Sequence, residues 1–422
     1  SLTSLDLSNF NTIKIMNISQ MFYNCASLSY LNLDKFYTLD TIDMSFLFYG
    51  CNSLTSLNLT SFNTVNVNNT QSMFHNCFNL SVLDISSFNT KNLVNMNNMF
   101  SHCSSLESLN LSSFSTQKVK NMNSLFESCI NLLSLNLSNF NFTNVEKMEK
   151  MFKNCESLIS LVSIYTYSDT EVEMKEMFYN CWSLEYLDLS NFDLKKIKNI
   201  NKMFYNCSSL SFLDLTSFNT EFIKDMSYLF YNCKKLNFLN ISTFVTNNLT
   251  NMEFMFYNCE NLKSLNLGNF NTEKVLNMKY LFANCRTLRY LDLTSFNTSN
   301  VTNMEYMFYN CSSLEKLNIS YFDTQQVKNI GNIFSQCKSL KSLDLKSFIT
   351  SSVTNMESMF QNCESLTALN ITNFETSKVS NMRNMFDSCL KLLYLDIDIN
   401  QFDTSQVTNM EFMFSKCKQL KQ

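Results

Sequence analysis

One interval governs this chain. Its sixteen cysteines form a single ladder, Cys25, Cys51, Cys77, Cys103 and onward to Cys389, each step 26 residues, with a last step of 28 to Cys417. A phenylalanine stands three residues before every one of them, from Phe22 to Phe414. A fixed period of this length means one supersecondary unit stacked on copies of itself, because a single unit cannot bury its own apolar face. Length alone, 422 residues, would suggest two or three domains of about 100–200 residues each. The unbroken period instead predicts one solenoid, 1–422, of about sixteen coils.

The coil from Cys311 to Gln336 shows what each unit contains. Leu314, Leu317 and Ile319 follow a Leu-x-x-Leu-x-Leu spacing, with Asn318 outward between two inward residues, as in a short half-buried strand. Phe322 and Thr324 follow, and then Val327, Ile330, Ile333 and Phe334 fall on one face of a short helix. In the neighbouring coil Thr298 or Ser299 is placed to cap such a helix. The alternative starts a second short strand at Val327 and leaves only Asn332 to Ser335 helical. Proline is absent and glycine occurs three times, at Gly50, Gly268 and Gly331. The turns must therefore fall to asparagine, which tolerates left-handed backbone.

The matching stretch Leu291-Asp292-Leu293-Thr294-Ser295-Phe296-Asn297-Thr298, through Val301-Thr302-Asn303-Met304, to Met307-Phe308-Tyr309-Asn310-Cys311 resembles the leucine-rich repeat. More narrowly, it resembles the 26-residue repeat of BspA-like bacterial and protist surface proteins. The resemblance covers the whole chain. It implies an α/β solenoid with a parallel β-sheet on a concave face and short helical segments on a convex face. It further implies cell-surface or extracellular display and a role in adhesion or host interaction, and it brings no catalytic residues.

Two departures stand out. Between Cys155 and Cys181, Leu161-Val162-Ser163-Ile164 replaces the usual Leu-x-Leu and Thr166 stands where a phenylalanine belongs, between Tyr165 and Tyr167, which predicts a local bulge or bend. Near the end, Asp396 to Phe402 carries two extra residues, expected to be a loop insertion or the approach to a boundary. Both termini fall inside a repeat, at Ser1 and Gln422, without the polar caps solenoids carry. The expectation is a window of a longer chain.

Composition narrows the function. With 32 basic and 36 acidic residues the net charge is −4, and there is no basic stripe of the kind a phosphate backbone requires. No apolar run approaches the roughly 18–20 residues that span a membrane. No Ser–His–Asp set, glycine-rich phosphate loop or carboxylate pair occurs, so no enzyme and no cofactor are expected. His75 and His102 lack a third ligand in register. The cysteines carry no C-x-x-C spacing; stacked and inward-pointing, they are expected to be buried thiols, with disulfides or a metal as the alternatives. The methionines Met252, Met255, Met304 and Met307 lie at core spacing.

What remains is surface. An Asp/Asn row, Asp188, Asp214, Asn240, Asn266, Asp292, Asn318 and Asp344, runs up the strands, read as solvated side chains forming a ladder with one another or as ligand or calcium contacts. Beside it a position that is Ser56, Ser108, Ser134, Ser264 or Ser342 in many coils becomes Tyr186, Phe212 and Phe238 in three consecutive ones. Exposed aromatics without a core role mark a recognition patch, with strand propensity as the plain alternative. Tyr186, Phe212, Phe238, Asp188, Asp214 and Asn240 are thus the concave-face binding candidate. Tyr179, Tyr205, Tyr231 and Tyr257 form a convex ridge, for binding or for stability. Asn58, Asn110, Asn136, Asn240, Asn318 and Asn370 each precede Ser or Thr by two, as glycan acceptors or as chance in an Asn-, Ser- and Thr-rich repeat. The function expected is a non-enzymatic cell-surface scaffold recognising a protein or glycan. The alternatives are a rigid spacer or fibre component that contacts copies of itself, and a cytoplasmic protein-interaction solenoid.

Overall fold

The computed structural model describes residues 2–162 and 166–421. It divides into two compact units, Ser1–Asn219 and Thr220–Gln422, each a stack of parallel coils. In the second unit, Leu291 and Leu293 are buried between outward Tyr290, Asp292 and Thr294. The strand Tyr290–Asp292 pairs in parallel with Lys316–Asn318, one coil on, in the register Tyr290 to Lys316 and Asp292 to Asn318. Similar three-residue strands pair two by two elsewhere, Ser4–Asp6 with Tyr30–Asn32, Ser56–Asn58 with Val82–Asp84 and Ala368–Asn370 with Tyr394–Asp396. A second parallel contact runs through single residues, Asn251 to Asn277 to Asn303 to Asn329 in the second unit and Asn17 to Asp43 to Asn69 in the first.

The expected helices do not form: among the described residues there is no helix at all. A helix needs consecutive right-handed residues bonded four apart. Here two residues per coil, four apart, sit in the left-handed region, as at Tyr306 (φ 59°) and Asn310 (φ 56°). Between them the backbone alternates its donors. Met307 and Tyr309 donate to the carbonyls three residues back at 3.1 and 3.0 Å, while Tyr306, Phe308 and Asn310 donate to Gly331, Ile333 and Ser335 of the next coil at 3.1, 3.0 and 2.8 Å. The alternative fares no better over Asn332–Ser335, which is also turn. The left-handed slot before the cysteine is asparagine at Asn24, Asn76, Asn154, Asn180, Asn206 and others, as the scarcity of glycine requires. Gly50 occupies it at φ 70°, and a Cβ there would lie 2.3 Å from the Asn24 side-chain oxygen.

The core is a set of columns. Phe308 is buried and stacks on Phe282 and Phe334, centroids 5.7 and 5.8 Å away and planes within 8° and 4°. In the first unit Phe152 stacks on Phe126 and Phe178 at 5.5 and 5.4 Å. A threonine column closes the corner after the strand. Thr324 is buried; its hydroxyl donates to the Ile349 carbonyl and accepts from the Ile349 N–H, both at 2.8 Å. Thr38 does the same with Asn63 at 2.9 Å, and Thr246 with Asn271 at 3.0 and 2.7 Å.

That column lapses at Phe142 and Leu194, both fully buried. There two long strands, Thr166–Glu173 and Phe192–Asn199, pair directly, with register shifts between Ser168 and Glu171 and between Val172 and Glu173. The expected irregularity is present, but it lies past the Leu-x-Leu stretch; Ser163, Ile164 and Tyr165 are outside the described residues. The insertion near 396–402 is a turn in which Gln401 and Phe402 donate to the Asp398 carbonyl at 3.1 and 2.9 Å, and Asn400 to its carboxylate at 2.9 Å.

Candidate binding surface

The strand places its first and third residues outward and its second inward. Tyr186 and Phe212 of the first unit are 54% and 42% exposed, and Phe238 of the second is 45% exposed. A rim that the sequence reading missed adjoins the first two. Ile130 and Trp182 directly follow a cysteine, Leu133 and Ile159 come four after one, and all four are exposed. Backbone bonds hold the rim together, Ile159 N–H to the Leu133 carbonyl at 3.0 Å and Ser157 N–H to that of Ile130 at 3.1 Å. Its signal in the sequence was apolar residues at offsets that elsewhere carry Ser, Lys or Glu.

The Asp/Asn row has a local role at the strand exit. Asp188 Oδ1 accepts from the Ser190 N–H at 2.9 Å, Asp214 from Thr216 at 2.9 Å, Asn240 from Ser242 at 3.3 Å and Asp292 from Thr294 at 3.1 Å. Each closes a turn at the strand exit. The hydroxyl and N–H of Ser190 hold the Asp188 carboxyl below the usual carboxylate range.

Tyr179 stacks on Tyr205 at 4.5 Å in the first unit and Tyr231 on Tyr257 at 4.8 Å in the second. Lys153 lies 4.9 Å over Tyr179. A parallel column that was not anticipated runs three residues earlier: Tyr228, Phe254, Tyr280 and Tyr306, stacked at 4.8, 4.5 and 4.5 Å. All four are left-handed, at φ 58°, 56°, 56° and 59°, a rare state for bulky side chains. Burial, then the neighbouring Tyr306 and Glu305, push the Tyr280 phenol up. These rings are half-buried.

His75 and His102 meet edge to face at 5.3 Å, and burial, then the charge of His102, pushes His75 down to about 4. Among the described residues no group of three or more His, Cys, Asp or Glu side chains is placed to hold a metal ion. The cysteines are free thiols. Buried Sγ atoms donate to a phenylalanine carbonyl one coil back, as Cys311 to Phe282 at 3.1 Å and Cys77 to Phe48 at 3.2 Å. Of the sequon asparagines, Asn58, Asn110, Asn136 and Asn370 are exposed and Asn240 and Asn318 half-buried. No helix among the described residues is long and apolar enough to cross a membrane. A hollow of about 840 Å³ in the first unit is lined by Lys14, Met16, Asp40, Ile42, Asn66 and Asn68. In the second unit one of about 430 Å³ is lined by Lys263, Thr287, Arg289 and Ser313.

Among solved structures, the chain is similar to a leucine-rich repeat protein from Bacteroides ovatus, at 18% identity over 90% of this chain and 82% of that one, TM-score 0.41. It is also similar to a leucine rich cell surface protein from Faecalibacterium prausnitzii, at 17% identity over 69% and 86%, TM-score 0.34. A leucine-rich repeat protein from Eubacterium ventriosum is similar at 15% identity over 99% and 92%, TM-score 0.35. No curated protein matches. One family model matches residues 1–82, 78–171, 172–290, 259–369 and 331–422, which between them span the sequence. The chain, a parallel solenoid of leucine-rich 26-residue coils, belongs to the family described as Mycoplasma protein of unknown function, DUF285.

Proposed function

We propose that this chain is a non-enzymatic binding scaffold displayed at a cell surface, recognising a protein partner through the aromatic side chains of its strand face. The observation that carries this reading is the exposure of Tyr186 and Phe212 on the outward strand position. Other coils put Ser56, Ser108 or Ser134 there. Exposed aromatic rings are costly in water, and aromatic anchors dominate the energetics of protein interfaces. Trp182, Leu133 and Ile159 widen the apolar area around them. Phe238 supplies a third ring of the same kind in the second unit.

The test is the triple variant Tyr186→Ser, Phe212→Ser and Phe238→Ser, which installs the residue other coils already carry. Parent and variant are compared for binding to an immobilised panel of extracellular proteins. The variant is expected to keep the parent's melting temperature and to lose at least about tenfold in affinity for whatever the parent retains. Equal binding by the variant overturns the aromatic site. Self-assembly of the parent into fibres in sedimentation, without retention on any surface, overturns the scaffold reading in favour of a structural spacer.

A further inference from the structure

The hollow between Lys263 and Arg289 in the second unit is a place where the strand ladder opens. In paired coils the two residues entering a strand donate to one carbonyl a coil back. Ser29 and Tyr30 both bond the Thr3 carbonyl, at 2.9 and 3.3 Å, and Glu315 and Lys316 both bond that of Arg289, at 2.9 and 3.3 Å. Arg289 and Tyr290 make no such bonds to the Lys263 carbonyl. The ladder opens at other coil boundaries too, but this one is chemically distinct. Its row position is serine at Ser29, Ser81 and Ser211, whereas here two cations follow each other in successive coils. Like charges at one offset in successive coils repel, and here only Arg289 feels an opposing charge at that offset, from Glu315 one coil on.

The surrounding charges leave these two cations uncommitted. Neither Lys263 nor Arg289 takes part in an ion pair among the described residues. Arg286 bonds Glu260 at 3.5 Å, and Glu315, the nearest carboxylate in the row, is held by Lys341 at 3.0 Å. That bond, ahead of the charges of Lys341 and Arg289, keeps the Glu315 carboxyl below its ordinary value. Thr287 and Ser313 line the same hollow of about 430 Å³, and Thr287 spends its proton on the Glu260 and Leu262 carbonyls at 2.9 and 3.1 Å. Beside it Tyr290 is 53% exposed, and Lys316 stands opposite it in the ladder.

We propose that this opening binds an oxyanion, a sulfate or carboxylate group carried on an acidic carbohydrate chain. Lys263 and Arg289 bracket the oxyanion, the N–H groups of Arg289 and Tyr290 are donors with no strand acceptor, and the guanidinium plane suits a two-point contact. The exposed Tyr290 ring and the hydroxyls of Ser264 and Ser313 suit the sugar that carries the group. An oxyanion on a chain also reaches Lys316, which a free ion held in the hollow does not need. The proposal is independent of the aromatic site: it uses other residues.

The experiment measures binding of a heparin-derived hexasaccharide by calorimetry, with inorganic sulfate, a neutral dextran oligosaccharide, anionic phospholipid vesicles and a polyglutamate peptide as comparators. The parent is expected to bind the hexasaccharide, to ignore dextran, and to weaken steeply as salt rises, since exposed charges are screened beyond about 10 Å at about 0.1 M. Lys263→Ser with Arg289→Ser is expected to cost about tenfold or more in affinity with an unchanged melting curve. Lys274→Ser, elsewhere on the same unit, controls for the loss of a positive charge. Hexasaccharide binding that the double variant retains in full overturns the site, and so does no binding by the parent at low salt. Equal affinity for inorganic sulfate, vesicles or polyglutamate overturns the carbohydrate assignment.

Discussion

At Thr324 and at Leu194 the chain solves the same corner in two ways. In the regular coil a single buried hydroxyl takes both backbone groups of Ile349, giving its proton to the carbonyl and accepting from the N–H. In the irregular stretch the successive residues at that position are Phe142, Ser168 and Leu194, and the backbones of Thr166–Glu173 and Phe192–Asn199 pair directly between the Ser168 and Leu194 coils. The difference teaches what coil stacking demands. Every buried N–H and C=O at the corner has to find a partner one coil away. One side chain meets that demand when the backbone turns away; an extended strand meets it when the backbone stays alongside.

The largest effects test whether the two regions are equally well packed. Phe308→Ala removes a ring stacked on both sides and is expected to cost about 3–5 kcal/mol, read from urea denaturation. Phe152→Ala, in the coil leading into the irregular stretch, is expected to cost about as much, because its column is equally continuous. A loss at Phe152 well under half that at Phe308 would show that the irregular region is loosely packed. Next comes the corner itself. Thr324→Val keeps the shape but orphans the backbone of Ile349, an expected loss of about 1–3 kcal/mol. Leu194→Thr places the regular residue in the irregular coil and is also expected to destabilise, because its hydroxyl replaces a fully buried apolar side chain. A gain in stability on Leu194→Thr would mean that the two regions differ by history and not by hydrogen bonding.

The smallest contrast is expected at the cysteines, whose column runs through both regions unchanged at Cys155 and Cys181. Native protein should react slowly with iodoacetamide in either region, and fully once denatured. The pH dependence follows from burial, which pushes the Cys51 and Cys363 thiols up to about 12. A thiol is neutral when protonated, and the unfolded chain releases that proton near pH ~8.5 while the folded chain keeps it. The stability this contributes is whole below about pH 8.5 and is lost as pH rises toward the folded values. The denaturation midpoint should therefore fall steadily on the alkaline side, and a flat profile to about pH 10 would place the thiols in water.

Much of this molecule was legible in the ladder of cysteines. The period set the stacking, the recurrence of Phe308 and its equivalents set the core, and alternation around Leu291 set which strand residues face water. Asparagine in place of glycine marked the left-handed slot before most of the cysteines, but not the slot four residues earlier, which holds residues such as Tyr228 and Phe254. The hydrophobic spacing of Val327, Ile330, Ile333 and Phe334 misled, because inward residues every three or four positions suit a run of linked turns as well as a helix. The threonine column, the Tyr228 to Tyr306 column and the Lys263–Arg289 pair were visible as letters at a common offset, yet nothing local said what those offsets touch. Their partners lie 25 or 26 residues away in the sequence. A residue's own neighbours fix whether it faces inward; only the stacking of the next coil decides whether its backbone bonds within the turn or across the gap, and that choice made turns where the sequence pattern promised helices.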